Sequence, residues 1–150
     1  MGVVVNRGFV LDALVPGLDM AGALTLKVGV MAGATNIETG RSVAEYAAYN
    51  EYGTQKIPAR PFLRQTLDKN RERYLRGLST ELASGMEPET ALRRLGEVME
   101  GDIKQTIEEW TEPPNSPETV ARKEGRNTPL RDTGSLLKSI THRVDAGGGE

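Results

Sequence analysis

The chain has 150 residues, of which 37% are hydrophobic and 27% charged, with a formal net charge of −2; this is the size and balance of one globular domain, not of a disordered polyelectrolyte. It has no cysteine and one histidine, His142, which excludes disulfide frameworks, thiolate metal sites and Cys nucleophiles and argues against multi-His metal centres and His-based triads. Aromatic residues make up 5%, few for a module that stacks nucleic-acid bases.

The small net charge conceals segregation. Seven basic residues face two acidic ones between Lys56 and Arg76, whereas nine acidic residues face three basic ones between Glu81 and Glu112. A basic excess returns from Val120 to Arg143. Such blocks are either the solvated faces of adjacent elements or complementary surfaces for a partner or a second copy. The apolar run from Gly8 to Gly17 is too short for a membrane span and is broken by Asp12. Residues 1–22 also lack the dense apolar centre of a signal peptide. The expectation is cytosolic synthesis without a membrane partner.

Taken in chain order, Val3-Val4-Val5 suggests an extended start, and Phe9 to Leu14 a short helix stopped by Pro16-Gly17. From Ala23 to Met31, Leu24, Leu26, Val28 and Val30 alternate with Thr25, Lys27 and Gly29, the period of a half-buried strand. Residues 32–40 read as a polar, mobile loop. Ser42-Val43-Ala44-Glu45 fits a capping box opening a helix, which Gly53 stops. Pro58 and Pro61 hold an extended spacer, and Pro61 is expected as the first residue of a second helix. That helix carries Leu63, Leu67, Tyr74, Leu78 and Leu82 and runs to Ser84, with Gly85 as its stop and Gly77 as a weak point. A third helix starts near Pro88. Leu92, Leu95, Met99, Ile103, Thr106 and Trp110 form its stripe, Val98 and Ile107 widen it, and Pro113-Pro114 ends it. Ser116-Pro117 starts a short helical turn from Thr119 to Glu124, before Gly125. Asp132 is expected to cap a helix containing Leu136, Leu137 and Ile140, and Thr141 to Val144 forms a closing strand. Residues 145–150 read as a flexible tail. The expected fold is one α+β domain: a small antiparallel sheet covered on one face by two long helices, with short helices added.

None of the titratable residues builds a reaction centre on this reading. Glu97 with Glu100, and Asp102 with Glu108 and Glu109, share helix faces but read as solvent-facing charge, with no partner base or metal set. His142 reads as structural, and Ser135 and Ser139 lack a visible general base. No enzyme activity, cofactor or metal is expected. The basic stretch lacks interleaved aromatics and a helix-turn-helix pattern, which leaves non-specific phosphate contact as its nucleic-acid option.

Two segments stand apart. The first couples Asn50-Glu51-Tyr52-Gly53 to Ile57-Pro58-Ala59-Arg60-Pro61-Phe62-Leu63. A helix, a glycine stop, a stiff Pro-x-x-Pro spacer and a second helix make a rigid elbow that Phe62 can lock. The second is Pro129-Leu130-Arg131-Asp132-Thr133-Gly134, followed by Leu136, Ser139 and Ile140. In this order the two segments resemble the tail-completion or virion-morphogenesis proteins of tailed bacteriophages. The resemblance covers roughly Val43 to Val144. It implies a small α+β subunit of the virion neck that assembles as a ring, a homo-hexamer by analogy with phage tail symmetry. Such a subunit would complete the tail and meet a head connector or head-completion protein on one side and the tail tube or a terminator protein on the other, with DNA passing through the channel. It further implies that Asp132 caps, Thr133 bonds back and Gly134 permits a close backbone approach. Alternatives of other classes are a tail terminator controlling length, a DNA-contacting module and an assembly factor absent from the finished particle.

Overall fold

The computed structural model describes residues 24–30, 33–36, 39–131 and 134–146. The expected extended start, the Phe9–Leu14 helix, the capping role of Asp132, the back-bonding of Thr133 and the last four residues lie outside these. The described chain is α+β, with one two-stranded antiparallel sheet and five helices. In order it runs β1 (Leu24–Val30), α1 (Val43–Tyr52), α2 (Phe62–Ala83), α3 (Pro88–Glu109), α4 (Pro117–Arg122), α5 (Ser135–Ser139) and β2 (Ile140–Ala146).

The alternation in β1 sets one sheet face. Leu26, Val28 and Val30 lie opposite Val144, His142 and Ile140, so these six side chains share a face. The other face is not open to solvent, as half-burial predicts. Lys27 and Gly29 are buried too, and Lys27 is neutralised by Asp145 at 3.0 Å. Residues 145–146 therefore continue β2 instead of starting a tail, because Leu24 and Thr25 pair with them.

The two long helices do not both cover the sheet. α3 lies across the strands, and α2 packs chiefly on α3. Gly96 is the reason α3 can come so close: a Cβ there would stand 2.5 Å from His142 Cδ2. On the far side of α3, Asp102 accepts from Tyr74 Oη at 2.7 Å and pairs with Arg73, and Thr66 donates to Thr106 at 2.6 Å. At about 100° per residue, Gly96 and Glu100 point to the sheet while Arg94, Asp102 and Thr106 point to α2. The core between them contains Leu92, Met99, Ile103 and Ile107 of α3 with Leu63, Tyr74 and Leu78 of α2. Val98 falls outside the buried stripe and is 44% exposed.

Helix ends follow local chemistry. Ser42 Oγ accepts from Glu45 N at 3.3 Å, and Ser116 Oγ from Thr119 N at 3.2 Å, each satisfying an orphan donor. The second cap moves the expected Thr119–Glu124 turn back to Pro117–Arg122. Ser84 is the residue flanking α2 and not its last turn. In the segment before α1, Asn36 N donates to Arg41 O and Gly40 N to Asn36 O, at 2.9 and 2.8 Å, so its described residues turn back on themselves.

Candidate functional site: the elbow and the closing segment

α1 ends where Gly53 takes φ 75° and donates to Tyr49 O at 2.8 Å. Any Cβ at Gly53 would also meet Ala59 N at 2.9 Å, so sterics and backbone angle both demand glycine. Thr54 then organises the turn. Its Oγ1 accepts from Lys56 N and Ile57 N at 3.1 and 3.0 Å, while its own N–H donates to Ile57 O at 2.8 Å. Ile57 is half-buried and Pro58 exposed. The chain re-enters the core at Arg60, whose N–H donates to Asn50 O at 2.5 Å.

Pro61 is not the first helical residue. It is the N-cap of α2, with φ −77° and ψ 62°, and it offers no side-chain cap. The cap comes from α1 instead. Glu51 accepts from Leu63 N at 2.9 Å and from Arg64 N at 3.0 Å, placing a carboxylate on the positive end of a 22-residue helix. Glu51 is 1% exposed. Its charge is answered by Arg64, which donates through Nε to Oε1 at 3.0 Å and through Nη2 to Glu51 O at 2.8 Å. The Arg64 guanidinium also lies over the exposed ring of Tyr52, 5.2 Å from its centroid. Phe62 is fully buried beneath the joint.

Arg60 ties this elbow to the chain beyond α3. It is 5% exposed. Nε and Nη2 donate to Pro113 O and Pro114 O, each at 2.8 Å, and Nη1 reaches Asn50 Oδ1 at 3.4 Å. Asn50 Nδ2 donates to Tyr46 O at 2.9 Å. Burial draws the Arg60 guanidinium below its ordinary pKa, and Tyr46 acts in the opposite direction. Among the described residues no carboxylate pairs with Arg60, so carbonyl dipoles stabilise its charge. Lys123 is also buried, and it donates to Thr128 O and Arg131 O, each at 2.8 Å.

The closing segment meets the elbow through α1. Leu130 is buried, and α5 packs on α1. Arg41, Val43, Tyr46, Arg122, Leu130 and Leu136 line a cavity of about 620 Å³ between them. Gly134 holds the N-cap position of α5, at φ 79° and ψ 3°. A Cβ at Gly134 would find nothing nearer than Lys138 Cε at 4.0 Å, so the left-handed backbone, not a close approach, selects glycine here. Ile140 opens β2 and does not belong to α5; it is buried opposite Val30.

The carboxylates that share faces of α3 turn out to be ties between elements. Glu100 accepts from His142 Nδ1 at 2.6 Å and from Lys104 Nζ at 2.7 Å. Burial pushes the Glu100 carboxyl up, but the Lys104 and His142 hydrogen bonds outweigh it and hold the group below the ordinary glutamate value. Burial raises the Tyr74 hydroxyl, and the hydrogen bond to Asp102 raises it further. Ser139 Oγ donates to Leu136 O at 2.8 Å. Among the described residues no cluster of three or more His, Asp or Glu is placed to hold a metal ion, and no helix is long and apolar enough to cross a membrane.

The residues brought together thus form a joint: Asn50, Glu51, Gly53, Arg60, Pro61, Phe62 and Arg64 lock α1, α2 and the chain after α3. Tyr52 and Pro58 stand outside it in solvent. Sequence reasoning did not identify the carboxylate cap, the carbonyl-bound Arg60 and Lys123, or the Glu100–His142 tie. The one available signal for the first was the absence of any capping side chain before α2. Comparison with models of known protein families, with curated proteins and with solved structures found no match.

Proposed function

We propose that the chain is a structural virion subunit of a tailed bacteriophage that completes the tail and joins it to the head connector as a ring-forming neck protein. The observation that carries the reading is where the two resembling strings sit. Asn50, Glu51, Arg60, Pro61 and Phe62 spend their polar groups and buried surface on one another and on the chain after α3, which makes a stiff joint between α1, α2 and that chain and leaves no reactive constellation among the described residues. Rigid joints with preformed surfaces suit a part that must assemble repeatedly with one geometry. The proposed contacts are other copies in a hexameric ring, a head connector or head-completion protein, and the tail tube or its terminator. Mass spectrometry of purified virions tests the reading: peptides of this chain belong in the finished particle, and their absence would leave only the assembly-factor alternative.

A second reading, contact with DNA in the channel, is favoured by one observation. Lys69, Arg71 and Arg76 are exposed along α2 and belong to no ion pair among the described residues. If they face DNA, gel-shift affinity will fall steeply with salt and show no sequence preference.

A further inference from the structure

We draw no further inference here: the strongest candidate, the cavity of about 620 Å³ that Asn36, Thr39, Arg41, Tyr46 and Leu136 line between the turn before α1, α1 and α5, is interrupted along its described lining at residues 37–38, which lie outside the described chain, so nothing in the structure shows what fills it or what charge it presents.

Discussion

Glu51 and Arg60 carry opposite charges into one joint without bonding to each other. Each is stabilised by backbone dipoles: Glu51 by N–H groups at the start of α2, Arg60 by the carbonyls of Pro113 and Pro114. Removing one member of such a set strands the rest in a place with little water. Glu51→Gln keeps the shape but loses the buried charge on the helix end and leaves the Leu63 and Arg64 N–H groups a poorer acceptor; the expected cost is about 1–3 kcal/mol by urea unfolding. Arg60→Lys keeps charge but has no fork to span two carbonyls, and a similar loss of about 1–3 kcal/mol is expected. A change below about 0.5 kcal/mol in both, the range of ordinary surface substitutions, would refute the joint. Glu100 gives a pH signature. Its folded pKa lies below the ordinary 4.5, so the folded state holds the proton less tightly than the unfolded chain. Its stabilising contribution is present above that value and is lost as pH falls through it. Unfolding midpoints measured from neutral pH downward should fall more steeply in wild type than in Glu100→Gln once pH drops below 4.5.

Between elements, three glycines of the helical framework behave differently for physical reasons. Gly77 is helical, exposed and uncrowded, so Gly77→Ala should raise stability by about 0.5–1 kcal/mol. Gly96 is helical but pressed against His142 and Leu26. Gly96→Ala should therefore lower the melting temperature despite better helix propensity, because α3 must lift from the sheet. Gly53→Ala meets both a positive φ and Ala59 and is expected to cost about 1–3 kcal/mol. Thermal melts of the three variants order these effects. The contrast also explains what could be read from sequence. The Ser42 and Ser116 caps and the β1 alternation depend on neighbours a few residues away, and they appear where local rules put them, whereas α3 ends at Glu109, with Trp110 already extended, before the Pro113-Pro114 stop is reached. Glu51 lies 12 residues before Leu63, and Arg60 lies 53 before Pro113; no local pattern encodes such pairs. Val98 belongs to the apolar periodicity of α3, yet lies at the edge of the seam with α2, where Gly77 provides no cover. The burial of Lys27 likewise depends on Asp145 across the sheet, which alternation alone does not reveal.

At the scale of the molecule, α3 is the hub. Its one face carries the sheet and its other carries α2, and the elbow returns to the chain just past its end. The string Asn50–Leu63 returns to this hub through Arg60 and the carbonyls of Pro113 and Pro114, and α5 packs on α1. The near-neutral total hides a basic excess on α2 and an acidic excess on α3. The most direct measurement is electron microscopy of particles from a phage lacking this chain, with mass spectrometry of wild-type virions alongside. The chain is expected in wild-type particles, and separate heads and unjoined tails are expected without it. Complete infectious particles in its absence, or wild-type virions that do not contain it, would overturn the neck assignment.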